Sequence, residues 1–163
     1  QGIIVDTNNF TNKAGVRTFE AAAFIRRSGA DIIKVRKLLR DDMNEYKARA
    51  EAVRHAEVYR DSFALAVCPS ANLESPTIVG AQAANELLNI NGVKASIVFT
   101  YFNNEVYLSA RSIDEVNVQL IMEKLGGGGH MTIAGAQLKD VTVDEAIELV
   151  KKTLDGMIEE GEI

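Results

Sequence analysis

This chain is short of cysteine, of long apolar runs and of excess positive charge, and each shortage excludes a class of protein. A single cysteine, Cys68, rules out an internal disulfide framework and fits a reducing compartment. No run approaches about 18 apolar residues, so no segment reads as a membrane span and the chain itself is expected to be soluble. The 18 basic residues are outnumbered by 23 acidic ones, for a net charge of −5, which leaves no global footprint for long duplex nucleic acid. A small nucleotide needs only a few local cations and stays compatible. Tandem repeats and low-complexity segments are missing too.

What is present is a chain of 163 residues, 47% of them hydrophobic, enough for one good core or two small ones. Gly2-Ile3-Ile4-Val5-Asp6-Thr7 is a β-branched run ending in a carboxylate, the form of a buried parallel-type strand. Sites in open α/β sheets lie at such strand ends. Two readings of Asp6 stand side by side, a metal ligand or a turn-forming residue ahead of Thr7-Asn8-Asn9. The strand opens on Gln1 with no initiator methionine, so essential parts are expected upstream. A helix carrying Phe19, Ala22 and Ala23 should stop near Gly29, and a second stripe, Ile32, Val35, Leu38 and Leu39, begins after Asp31. Both stripes read as core. From Asp42 to Tyr59 the apolar positions are sparse among Lys47, Arg49, Glu51, Arg54 and Glu57, which describes a long solvated connecting helix with His55 on its surface.

Phe63-Ala64-Leu65-Ala66-Val67-Cys68 is a strand stopped by Pro69 and begins a second domain. With no histidine or cation close in sequence to lower its pKa, Cys68 reads as a buried strand residue rather than a nucleophile. Ser75-Pro76 supplies an N-cap and a first-turn proline for a helix through Ile78, Val79, Ala83 and Leu87. Two strands, Val93 to Phe102 and Glu105 to Ser112, flank the turn-forming pair Asn103-Asn104. A helix follows over Val116 to Glu123, with Asn117 either capping it or touching ligand. Thr142 and Glu145 make a capping box for a last amphipathic helix through Ala146, Leu149, Val150, Leu154 and Met157, and the tail Glu159, Glu160 and Glu162 is expected to be frayed and solvated.

The costliest stretch is Gly126-Gly127-Gly128-Gly129-His130, followed by Met131-Thr132-Ile133-Ala134-Gly135-Ala136. Glycine loses the most backbone entropy on ordering, so four in a row require a return. Bare backbone N–H groups can face an anion, and the small residues after His130 can open a short helix whose N-terminus attracts negative charge. Phosphate is the natural guest. A flexible linker or an elaborate helix C-cap is the alternative. Arg111, with Ser112 beside it at a strand end, can make charge-assisted bonds to such a phosphate, although by itself it reads as a surface residue.

GGGGHMTIAGAQ resembles the GGGH-x-x-A-A-G-A signature of the DHHA1 domain, the substrate-binding half of the DHH/DHHA1 phosphoesterases, with Ile133 where alanine is usual. GIIVDTNNF resembles the last metal-binding motif of DHH domains, in which Asp6 and Phe10 fall on the motif positions. The Asp-His-His triplet of that family is absent from this sequence. The resemblance implies an α/β fold: a DHHA1 domain with a mixed β-sheet flanked by helices at residues 61–163, preceded over residues 1–60 by the C-terminal remnant of a DHH domain and a connecting helix. It also implies a phosphate pocket of Arg111, Ser112, Gly127, Gly128, Gly129 and His130, and Asp6 as a Mn²⁺ ligand. Asp6 alone cannot hold a two-metal site.

GIIVDTNNF, SARS, the helix over Val116 to Glu123 and the glycine motif are most similar to membrane-anchored cyclic-di-AMP phosphodiesterases of the GdpP type. That similarity implies Mn²⁺-dependent hydrolysis of cyclic di-AMP to pApA at the cytoplasmic face of a membrane, with DHH, degenerate GGDEF and PAS-like domains upstream. The isolated chain is expected to bind nucleotide and to lack hydrolytic activity. A nanoRNase or pAp phosphatase on the same scaffold is the alternative, and a nucleic-acid-binding DHHA1 accessory module is a second. The family is compatible with a homodimer, which no apolar stripe here demands.

Overall fold

The computed structural model describes residues 1–11, 13–113 and 115–163, and contacts divide the chain into two units, Gln1–Asp42 and Met43–Ile163. The first unit holds helices α1 (Gly2–Asp6), α2 (Val16–Arg27) and α3 (Ile32–Leu38). The expected strand at its start is a helix instead. A strand must borrow hydrogen bonds from a neighbour, and no described residue of this unit forms one, so the β-branched run satisfies itself locally, Val5 N–H to Gln1 O and Thr7 N–H to Ile3 O. Asn8, Asn9 and Phe10 follow with φ of 43°, 61° and 66° and turn the chain away, and the Phe10 ring stacks on Phe19 at 5.2 Å. Asp31 caps α3, its Oδ1 accepting from the Ile33 and Lys34 amides.

The two apolar stripes of this unit are not core. Phe19, Phe24, Ile32, Ile33 and Leu38 are each more than half exposed, and among the unit's described residues only Thr7 is buried. Three short helices offer too little surface to close over their own apolar faces.

The second unit begins earlier than the boundary expected near Arg60. Helix α4 (Met43–Arg54) is no solvated connector, because Ala48 and Ala52 are buried against α5 (Pro76–Leu87) and the sheet. Small residues four apart gave a weak apolar signal yet allow the helices to approach closely. Residues 57–59, expected to continue that helix, form a short strand.

Six strands make one mixed sheet among the described residues: β1 (Glu57–Tyr59), β2 (Phe63–Cys68), β3 (Ala95–Phe102), β4 (Glu105–Ser112), β5 (Gly128–His130) and β6 (Ile133–Lys139), in the order β1-β2-β3-β4-β6-β5. β2 and β3 run parallel, joined by α5, and all other neighbours are antiparallel. The β3–β4 hairpin turns on Asn103 and Asn104 at φ 51° and 62°, as their tolerance of left-handed backbone allows. Helices α6 (Val118–Lys124) and α7 (Val143–Glu159) cover one face, burying Val118, Ile121, Met122, Ala146, Val150, Leu154 and Met157 against alternate residues of β2, β3, β4 and β6. Each of these Val, Ile, Leu and Met side chains contributes about 1.5–3 kcal/mol on burial.

On the other face, α4 and α5 lie over β2 and β3, packing Val79, Ala83, Ala84 and Leu87 on Ala64, Ala66, Cys68 and Val98. Gly80 lets α5 come down onto β3, since a Cβ there would collide with the Thr100 hydroxyl. The capping box is formed: Thr142 Oγ1 accepts from the Glu145 amide, and Glu145 Oε2 accepts from the Thr142 amide at 2.7 Å. The acidic tail is tied rather than frayed, with Glu162 2.8 Å from Lys124 Nζ. No helix among the described residues is long and apolar enough to cross a membrane.

Candidate functional site

α5 reaches over part of β4, and beyond its edge no described helix lies over this face of β4 and β6. Along β4, Val106, Leu108, Ala110 and Ser112 point toward α6 and α7, so Glu105, Tyr107, Ser109 and Arg111 point the other way, onto this uncovered face. Register extends the pattern across the sheet. Arg111 pairs with Ile133, which pairs with His130; Ser109 pairs with Gly135, which pairs with Gly128; Tyr107 pairs with Gln137. Directly paired residues share a face, so Arg111 and His130 stand on the same side, two strands or about 10 Å apart. Between them and the Tyr107–Gln137 row runs a floor of Ser109, Gly135 and Gly128. The result is a shallow trough with a small-residue bottom.

The four glycines do different jobs. Gly126, at φ 79°, ends α6 in the left-handed turn that only glycine adopts freely, while the Gly127 amide bonds to Met122 O at 2.8 Å. At Gly127 a Cβ would strike the Gly135 carbonyl and Ala136, and at Gly129 it would strike the Ile133 carbonyl and Ala134. Both are glycine because β5 lies hard against β6. Of Gly127, Gly128 and Gly129, only Gly128 meets nothing within 4 Å. Its bare Cα faces the trough.

Residues 133–139 do not open a helix after His130; they are β6, inserted between β4 and β5. Small residues there serve close strand approach, which is the demand that sequence reading assigned to a helix N-terminus. The two-residue turn Met131-Thr132 is fixed by its carbonyls: Thr132 O accepts from the Ser112 amide at 3.0 Å and Met131 O from the Val118 amide at 2.9 Å.

The sequence-predicted residues therefore separate. Arg111, Gly128 and His130 come together on the trough, with Gly127 and Gly129 shaping it. Ser112 does not join them: it is buried on the α6–α7 side, and its hydroxyl contacts Met131 O at 3.5 Å. Neighbours in a strand face opposite ways, so an Arg-Ser pair cannot put both side chains on one ligand. Ser112 instead holds the hairpin that carries His130. Asn117 caps α6, its Oδ1 accepting from the Gln119 amide at 3.1 Å. His55 is exposed and pairs with Glu51 of its own helix. Tyr107 and Gln137 escaped sequence reading, although the alternation of β4 already placed Tyr107 on the Arg111 side.

Electrostatically, Arg111 is the distinctive group. Its Nη1 donates to Ala110 O at 2.8 Å, its Nε is buried without a partner, and no carboxylate stands within ion-pair distance among the described residues. Burial lowers its pKa. A buried donor left unmade costs about 1–3 kcal/mol, more when charged, and an anion laid against it would recover that cost. Cys68 is inert by contrast, its thiol pushed up to about 11 by burial.

The donor set for a metal is incomplete. Asp6 is exposed in the first unit, and no group of three His, Cys, Asp or Glu side chains among the described residues could hold an ion.

Residues 66–160 match the DHHA1 domain family. The cyclic-di-AMP phosphodiesterase PdeA of Listeria monocytogenes is 44% identical over 156 residues, covering 95% of this chain and 24% of the relative. The cyclic-di-AMP phosphodiesterase GdpP of Bacillus subtilis is 43% identical over 162 residues, covering 98% and 25%. The chain thus spans about a quarter of the length of these relatives. Among solved structures, an exopolyphosphatase-related protein from Bacteroides fragilis superposes with a TM-score of 0.81 over 95% of this chain and 48% of that one, at 18% identity. That likeness is one of fold.

Proposed function

The chain belongs to the DHHA1 domain family, and from that premise we propose that it is the substrate-binding part of a phosphodiesterase that opens cyclic di-AMP to pApA. The observation that carries this reading is the desolvated Arg111 guanidinium, with an unpartnered Nε, standing on one face with His130 and the bare Cα of Gly128. In the reaction, water adds to one phosphorus and the ribose 3′ oxygen leaves with a proton, so negative charge grows on the phosphoryl oxygens. Arg111 neutralises that charge, and donors already in place need no reorganisation as it develops. His130 donates a hydrogen bond to the same phosphate or packs on a base. Ser112 acts through the turn it anchors.

In this reading Asp6 donates one carboxylate to a manganese centre whose other ligands this chain does not carry, and the whole enzyme works at the cytoplasmic face of a membrane with DHH, GGDEF-like and PAS domains upstream. The isolated chain then binds nucleotide without hydrolysing it. Calorimetry of cyclic di-AMP, pApA and AMP against the chain and its Arg111→Ala and His130→Ala variants tests this. Arg111→Ala should weaken pApA at least tenfold, with a smaller loss for His130→Ala. Equal heats from all three proteins would remove the pocket, and robust Mn²⁺-dependent turnover by the isolated chain would contradict the missing-ligand argument.

A further inference from the structure

Resting on the nucleotide reading above, we propose that Tyr107 and Gln137 form the base-reading end of the trough and select a 6-amino purine over a 6-oxo purine. Tyr107 lies four residues from Arg111 on the same face of β4, about 14 Å along the strand, the reach of a nucleotide from its phosphate to the far edge of its base. The floor between them, Ser109, Gly135 and Gly128, carries nothing larger than a hydroxymethyl group. At the Tyr107 end an open surface hollow of about 390 Å³ lies between Tyr107, Gln137, Gly126, Gly127 and Gly135.

Both side chains are held in place before any ligand arrives. The Tyr107 ring packs at 6.4 Å and 51° against Phe102, and its hydroxyl accepts from Gln137 Nε2 at 3.0 Å. A ring fixed at both ends stacks on a flat base without losing further freedom. The orientation of the Gln137 amide follows from its other neighbour. Its Nε2 also donates to Glu105, and an ionised carboxylate can only accept, so the nitrogen must be the atom turned that way. Gln137 Oε1 is left without a partner among the described residues. It accepts from an exocyclic amine, whereas a 6-oxo purine would set one lone pair against another. Sites that hydrogen-bond a substrate group reject the analogue that leaves them unpaired.

The experiment is calorimetric titration of this chain with pApA, pGpG and ribose 5-phosphate, the last read by competition. The expected result is pApA at least tenfold tighter than pGpG. Gln137→Met should erase that preference, and Tyr107→Leu should weaken both dinucleotides about tenfold while leaving ribose 5-phosphate unchanged; thermal melts of each variant report retained folding. Equal wild-type affinity for pApA and pGpG, or a preference that survives Gln137→Met, overturns the base-reading role while loss of binding in Arg111→Ala keeps the phosphate grip. Failure of all three compounds to bind overturns both.

Discussion

The two halves of the sheet are built from different kinds of strand. β2 and β3 are apolar at almost every position and have helices on both faces, whereas β4 and β6 alternate, with helices over one face and only the margin of α5 reaching β4 on the other. In the doubly covered half nearly every side chain answers to packing, with Val67 and Tyr101 the exposed exceptions, and Ser96, the one polar residue deep inside with a strong partner, donates to Ala84 O at 2.6 Å. In the singly covered half only alternate residues do so. The others are free to be Arg111, Tyr107 and Gln137, and that freedom is where the proposed binding face lies. A rigid, fully packed half thus holds a half that can carry function.

The sharpest way to break this comparison is to truncate one residue in each half. Phe99 on β3 is fully buried, and Phe99→Ala should cost about 3–5 kcal/mol. Ile133 on the open face of β6 is 44% exposed, and Ile133→Ala should move stability by no more than about 0.5 kcal/mol. Urea midpoints measure both. Comparable losses would mean that the trough face is packed as tightly as the other half.

Within the glycine run the same contrast recurs at single-residue scale. Gly127→Ala forces a Cβ into the β6 backbone and should cost about 1–3 kcal/mol, with nucleotide binding lost as the strand shifts. Gly128→Ala meets open space and should leave the melting temperature within about 2 °C while weakening nucleotide. If Gly128→Ala instead bound ligand at full strength, the bare Cα would serve no phosphate.

Much of the second unit was legible in advance. The Asn103-Asn104 hairpin, the Thr142–Glu145 capping box and the stripe of α7 are local devices, decided by residues within a few positions of one another, and they were read correctly. What escaped depended on partners distant in sequence. Gly2–Asp6 has strand composition but no described residue of its unit forms a strand to pair with, the stripes of α2 and α3 stay exposed, and α4 hides its packing in Ala48 and Ala52, which periodicity weighs lightly. The site was half legible for the same reason. The glycine run marked its place, but whether Ser112 or Tyr107 stood beside Arg111 was fixed by strand alternation, and the role of Gly127 and Gly129 in close approach only by the register of β5 on β6.

The smallest expected effect carries the most information about why the open half is built as it is. Arg111→Met keeps the length and apolar stem of the side chain and deletes a desolvated charge that pairs with no carboxylate among the described residues. It forfeits the bond from Nη1 to Ala110 O and relieves the unmade bond at Nε, and these are similar in size. Replacing a poorly compensated buried charge by an apolar side chain is often neutral or stabilising. The melting temperature should therefore hold or rise by about 1–2 °C, with pApA binding lost in the same variant. Stability rising as binding falls is the signature of a group kept for a ligand rather than for the fold. A drop of more than about 4 °C would mean the opposite, that the guanidinium is a structural strut whose bond to Ala110 O outweighs its desolvation.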